Sequence, residues 1–223
     1  MKTLACACAL ALGLGLPLAA VASPAAVSHA AHSTAQAAAA TAVPQAPQLH
    51  AALRALWHGH VVNTRAYAMA VKKGDAAAAA KAADATVANA QDIANAVAGY
   101  YGEDAGKGMM KLLGGHWAGV KALTDAAHAG NQAGIDKALQ DLNANAGAIA
   151  KFLHGANPSN WPEATVEGLM LAHIGHHRAQ VNEIMAGDMT AEAKTWKAMQ
   201  AHMDTIADAL AGGIAAQFPD KVK

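Results

Sequence analysis

The segment LMLAHIGHHR (residues 169–178) contains the pattern that decides the fold of this chain. Its leucine, a histidine four positions later and a basic residue five positions further on recur in LWHGHVVNTR (56–65) and LLGGHWAGVK (112–121). Equivalent residues are separated by 56 and then 57 positions. Self-similarity at a fixed period of this length indicates a repeated structural unit.

Turn signals recur with the same period and outline the unit. Gly74, Gly130 and Gly187 are separated by 56 and 57 residues. Between the breaks, apolar residues recur at intervals of three and four, which is typical of amphipathic helices rather than strands. We therefore predict an all-α six-helix bundle over residues 48–219. It is built from three repeated antiparallel helical hairpins, at about residues 48–102, 103–157 and 161–217. The pattern leaves open whether the hairpins close around an axis or stack as an open solenoid.

The N-terminal region has the composition of an export signal followed by a linker. Residues 1–22 begin with a lysine after Met1, continue as an apolar run and end in Ala-Val-Ala, which predicts cleavage before Ser23. An uncleaved anchor is the alternative. Both cysteines lie in this segment, so the mature protein is expected to have no thiol. Residues 23–47, rich in Ala, Ser, Thr and Pro, predict a disordered linker. We expect an exported bacterial protein, periplasmic or secreted, with no stable membrane insertion after cleavage.

Charge and motifs disfavour several function classes. The formal net charge is zero, so no nucleic-acid partner is expected. The segment 102–108 differs from a phosphate-binding loop in its glycine spacing and follows a helix, so no nucleotide cofactor is expected. With no cysteine nucleophile and no paired core carboxylates, enzymatic activity is disfavoured. The repeat-related cations Arg65, Lys121 and Arg178 lie off the apolar seam and are expected on solvated faces, although together they could attract an anion.

Histidines at the repeat positions are predicted to point inward. His60, His116 and His173 lie on the apolar seams of their helices. Hairpin geometry places them level with Asn89, Asn145 and His202 respectively. In the third copy, His177 lies one turn beyond the repeat histidine and shares its face.

Two interpretations account for such a layer. Imidazoles from several helices could converge on one copper or zinc ion, since both metals accept nitrogen ligands. The candidate ligands are then His60, His116, His173, His177 and His202. His173 and His202 are expected at the heart of the site, completed by His116 or His60, with His177 as an outer or alternative ligand. Ligation is expected to weaken below about pH 6.5, where an ordinary imidazole protonates. The alternative is a non-enzymatic scaffold or interaction protein, in which hydrogen bonds such as His60 to Asn89 make the layer purely structural.

Four segments also resemble a family of small exported bacterial helical-bundle proteins whose function is not established. These segments are LWHGHVVNTRAY (56–67), YYGEDAG (100–106), NPSNWPEA (157–164) and AHMDTIADALAGGIAAQFP (201–219). The resemblance implies a compact bundle with histidines matching His60, His116 and His173. Some members carry a glycosyltransferase label, but this chain has neither strand-rich patterning nor an Asp-x-Asp motif.

Overall fold

The computed structural model describes residues 46–222, which form six α-helices and a short C-terminal 3₁₀-helix. The helices are α1 (Pro47–Lys73), α2 (Ala76–Tyr101), α3 (Glu103–His128), α4 (Gln132–Ala156), α5 (Glu163–Ala186) and α6 (Met189–Gln217). The prediction of an all-α bundle with six helices is confirmed. The predicted signal peptide and nearly all of the predicted linker, up to residue 45, lie outside the described residues.

The turn inside each hairpin has the same construction. Gly74, Gly130 and Gly187 have φ values of 71°, 65° and 78°, in the left-handed region that favours glycine. The Asp or Asn that follows each glycine accepts a hydrogen bond of 2.9 to 3.0 Å from the backbone N–H three positions later. These side chains cap the second helix of each hairpin. The repeat in the sequence therefore corresponds to three hairpin turns of the same conformation and the same helix cap.

The three hairpins close into a ring. Each helix packs against the next one along the chain, and α6 packs back against α1. In addition, α1, α3 and α5 contact one another. The first helix of every hairpin therefore lies at the centre of the bundle, and α2, α4 and α6 pack outside, each between two central helices. This closure answers the question that the sequence pattern left open.

Repeat-related apolar side chains fill the core in layers. Leu53, Met109 and Val166 form one buried set, and the next turn adds Trp57, Leu113 and Met170. On the outer helices Ile93, Ile149 and Ile206 are likewise buried. Within residues 46–222, no helix combines the length and apolar character needed to cross a bilayer.

The contact that joins the first and third hairpins includes an ion pair with one buried partner. Glu192 is 1% exposed and accepts hydrogen bonds of 2.6 and 2.8 Å from the guanidinium of Arg65. Gln180 donates a third hydrogen bond of 2.9 Å to the same carboxylate. Arg65 keeps 32% of its side chain exposed, but nothing in the sequence indicates its buried partner, which comes from another hairpin, 127 residues away. Its counterpart Lys121 pairs with Asp125 on the surface.

Candidate metal centre

Four histidines meet at the axis of the bundle. His60 comes from α1, His116 from α3, and both His173 and His177 from α5. Their side chains are buried, with exposures of 1 to 3%. They meet because they lie on the inner faces of the three central helices. Within residues 46–222, this is the only group of three or more His, Cys, Asp or Glu side chains close enough to share a metal ion.

The spacing of the rings suits a single ion. One ligand nitrogen from each histidine lies within 4.8 Å of those of the other three. An imidazole bound at about 2.0–2.1 Å has its ring centroid about 3.2 Å from the metal, so two tetrahedral ligands have centroids about 5.2 Å apart. Five of the six centroid separations are 5.4 to 6.0 Å, and the sixth, between His173 and His177, is 4.3 Å. For a tetrahedral ligand set, five of the ring pairs would therefore have to approach by about 0.2–0.8 Å, and the His173 and His177 rings would have to separate by about 0.9 Å.

Most of the imidazole nitrogens in the cluster have no hydrogen-bond partner. Both nitrogens of His60, both of His116 and Nδ1 of His173 are buried and unpaired. The single hydrogen bond within the cluster joins Nε2 of His177 and Nε2 of His173 at 3.0 Å. Unpaired buried polar atoms are rare in folded proteins, because each costs about 1–3 kcal/mol. The cluster therefore has the donor atoms of a ligand site and lacks the internal partners of a structural one.

Burial keeps these imidazoles neutral. It lowers the pKa of His60 to about 3, with a smaller contribution from His116. It lowers the pKa of His116 to about 4, and this effect outweighs the neighbouring Asn145 side chain, which raises the same pKa. The pKa values of His173 and His177 are also well below the usual range, because of burial first and then the surrounding histidines. A neutral imidazole has the free lone pair that a metal requires. An ordinary imidazole would begin to lose its ligand capacity near pH 6.5. Burial therefore shifts the expected loss of metal binding to more acidic pH than that.

The sequence placed two histidines differently from the structure. His177 was assigned an outer or alternative role, but the structure brings it into the buried group. Its spacing of four residues from His173 is the signal for this, because residues i and i+4 share a helix face. His202 was assigned the central role beside His173, but it lies outside the group of four.

The position of His202 follows from the closure of the bundle. Its helix, α6, is one of the three outer helices, so this side chain is only partly buried. Nε2 of His202 donates a hydrogen bond of 2.9 Å to the carbonyl oxygen of Leu169. Two histidines can be level along a hairpin and still lie at different distances from the bundle axis.

The repeat-related asparagines make the same contact as His202. Nδ2 of Asn89 donates to the carbonyl oxygen of Leu56, and Nδ2 of Asn145 donates to that of Leu112, both at 3.0 Å. These amides hold each hairpin together through its backbone. The hydrogen bond from His60 to Asn89 that the scaffold interpretation expects is not formed, since both ring nitrogens of His60 are unpaired.

Comparison with known proteins identifies no relative. No family model matches the chain, and neither the curated proteins nor the solved structures include a significant match. The function is therefore inferred from the geometry and chemistry of the histidine cluster.

Proposed function

We propose that this chain is an exported bacterial metal-binding protein that holds one copper or zinc ion in the cluster of His60, His116, His173 and His177. One observation carries the proposal: four buried imidazoles from three helices meet with most of their nitrogens unpaired. Four protein ligands fill a tetrahedral shell, which is typical of structural sites rather than catalytic ones, which keep an open position. Binding, storage or transfer of the ion is thus favoured over catalysis.

Unpaired buried nitrogens favour an ion over a purely structural layer. A buried polar atom without a partner costs about 1–3 kcal/mol, and five nitrogens of the cluster have none. Coordination would use one nitrogen of each histidine and so pair at most three of these five. The alternative is a scaffold in which ordered water pairs with the nitrogens, since a buried water typically makes about three hydrogen bonds. Metal titration separates the two.

The charge of the site supports cuprous copper over zinc in this proposal. The group contains four histidines and no carboxylate. Zinc would therefore bring two uncompensated positive charges into a buried site, whereas cuprous copper would bring one. Buried charge without a partner is expensive, so the monovalent ion suits this neutral site better. Both metals accept imidazole nitrogen.

Titration of the metal-stripped full chain tests the proposal. We expect one equivalent of zinc or cuprous copper to bind more tightly than about 1 µM, or roughly −8 kcal/mol. Calorimetry suits zinc, and competition with a chromogenic chelator suits cuprous copper. Weaker uptake by the correctly folded chain would overturn the proposal and leave the scaffold alternative.

A matched pair of variants locates the ion. The repeat equivalent of His177 in the second hairpin is Val120, so His177→Val copies a side chain that the fold already buries at that position. Apparent binding energies of about 10–16 kcal/mol shared among four ligands imply a loss of affinity of about a hundredfold to a thousandfold. The control is His128→Asn, because His128 is exposed and outside the cluster. Equal affinities for the two variants would contradict the assignment.

Export is the second part of the proposal. It rests on the sequence of residues 1–22, with its lysine, apolar run and Ala-Val-Ala end. Mass spectrometry of the periplasmic or secreted fraction should find a chain that begins near Ser23. A soluble chain that retains Met1 would contradict export by cleavage.

A further inference from the structure

Two more histidines lie close together on the outside of the same hairpin. The ring centroids of His176 on α5 and His202 on α6 are 5.3 Å apart. Both side chains are partly exposed, in contrast to the four buried histidines. Their separation is close to the value of about 5.2 Å that two tetrahedral imidazole ligands of one ion would have.

The hydrogen bond of His202 determines which of its nitrogens is free. A carbonyl oxygen only accepts, so the hydrogen bond to Leu169 requires the proton on Nε2. The neutral ring then has its lone pair on Nδ1, available to a ligand. The backbone thus fixes the tautomer, as second-shell partners do for metal-binding histidines.

The outer pair adjoins the buried cluster. The rings of His202 and His173 are nearly parallel, with an interplanar angle of 17° and a centroid separation of 6.4 Å. The ring of His202 is therefore close both to the partly exposed His176 and to the buried His173. An ion could pass along this series by exchanging one imidazole for the next.

The other two hairpins lack this arrangement. The positions equivalent to His176 are Asn63 and Gly119, and those equivalent to His202 are Asn89 and Asn145. Both asparagines in place of His202 make the same backbone hydrogen bond as the histidine. That hydrogen bond therefore does not require an imidazole. The two residues differ in the atom that this hydrogen bond does not use. In asparagine it is the amide oxygen, and in histidine it is Nδ1, a nitrogen that can bind a metal.

We propose that His176 and His202 form an outer metal-binding pair, through which the ion is exchanged between solvent and the buried histidine cluster. This inference rests on the proposed function of the buried cluster. The outer pair would determine how fast the ion enters and leaves, and the buried cluster would determine how tightly it is bound at equilibrium. The ion keeps its charge throughout, and each step replaces one neutral ligand by another.

The test measures rates and affinities separately, with zinc as the probe. The variant is His202→Asn, which copies the first two hairpins, and the control is His128→Asn. Stopped-flow transfer of zinc from a chromogenic chelator to the metal-stripped full chain gives the loading rate. Removal by excess chelator gives the release rate. We expect both rates to fall about tenfold or more in His202→Asn, and neither to change in the control. The equilibrium affinity of the tight equivalent should stay within about twofold of wild type, because the variant changes only the barrier.

Excess zinc reveals the outer pair directly. Wild type should bind a second, weaker equivalent that His177→Val retains and His202→Asn loses. Wild-type rates in His202→Asn would overturn the exchange route while leaving the buried site intact. An affinity loss in His202→Asn as large as that in His177→Val would instead make His202 a ligand of the tight site. If wild type binds no tight equivalent at all, the proposed function fails, and the exchange route fails with it.

Discussion

The third hairpin differs from the first two although all three share one backbone plan. The first two each contribute one histidine to the axis, His60 and His116, whereas the third contributes His173 and His177. The third hairpin also buries Glu192 where the other two have Ala79 and Ile135. The repeated turns and core layers thus build the scaffold. The additional buried polar side chains lie in the third hairpin, at positions where its sequence departs from the repeat.

The additional histidine of the third hairpin changes the number of ligands available to an ion. Three imidazoles at symmetric positions would leave a four-coordinate ion one ligand short. In the proposed site His177 would supply the fourth ligand, at a position where the other two copies have Val120 and Thr64. One departure from the repeat would therefore complete a set that exact repetition could not provide.

The largest expected effect is acid destabilisation of the metal-free protein. Unfolded histidines protonate near pH 6.5, whereas burial lowers the pKa of His60 to about 3 and that of His116 to about 4. The unfolded state therefore binds more protons, and stability is lost as the pH falls from about 6.5 towards 4. Each buried histidine contributes a slope of about 1.4 kcal/mol per pH unit.

Urea titrations at a series of pH values measure this slope. His177→Val should remove about one quarter of the slope due to the four histidines. The control variant is His128→Asn, which changes an exposed histidine outside the cluster. A free energy of unfolding that stays constant between pH 7 and 5 would contradict the neutral buried cluster.

The next effect concerns the ion pair that closes the ring. Arg65→Met leaves Glu192 buried without its cation. Because Arg65 itself is partly exposed, we expect a loss of about 3 kcal/mol in the free energy of unfolding, the lower end for broken buried pairs. The matched control is Lys121→Met, because Lys121 occupies the equivalent position but pairs with Asp125 on the surface. Such exposed pairs contribute about 0–1 kcal/mol.

A double variant keeps this test informative if Arg65→Met does not fold. Arg65→Met combined with Glu192→Ile copies the aliphatic residue of the second hairpin and removes the buried charge. It should recover most of the loss, since apolar replacements of buried ion pairs are often neutral. Equal losses for Arg65→Met and Lys121→Met, measured by urea denaturation, would show that the third hairpin is not joined to the first in this way.

The smallest effect tests the position at which the three hairpins are most alike. Asn89→Ala, Asn145→Ala and His202→Ala each remove one side-chain hydrogen bond to a leucine carbonyl oxygen. We expect each to lower the free energy of unfolding by about 1 kcal/mol, with similar values for all three. Metal affinity should also remain similar. A collapse of affinity in His202→Ala alone would restore His202 to the ligand set.

Local sequence signals were sufficient for most of the fold. Glycines followed by Asp or Asn mark the hairpin turns, because the left-handed backbone and the helix cap are both local requirements. The seam positions of His60, His116 and His173 follow from helical periodicity. These features depend on residues close together in the chain, so a single sequence contains them.

The rest depended on which helices occupy the centre. Periodicity shows which face of a helix is apolar, but not how far that helix lies from the bundle axis. His202 was therefore assigned to the centre, although the closed ring places α6 outside. Burial of Glu192 could not be predicted either, because an acidic residue in the first turn of a helix is ordinarily a solvated one. Its partner, Arg65, is 127 positions away.

X-ray absorption spectroscopy of the zinc-loaded full chain counts the ligands around the ion and so tests whether the four buried histidines bind it together. We expect four nitrogen ligands at about 2.0–2.1 Å, with the outer-shell scattering of imidazole rings. His177→Val should lower the imidazole count by one, and His128→Asn should leave the spectrum unchanged. A shell of oxygen or sulfur atoms, or a wild-type count below three imidazoles, would contradict a metal centre at the axis of the bundle.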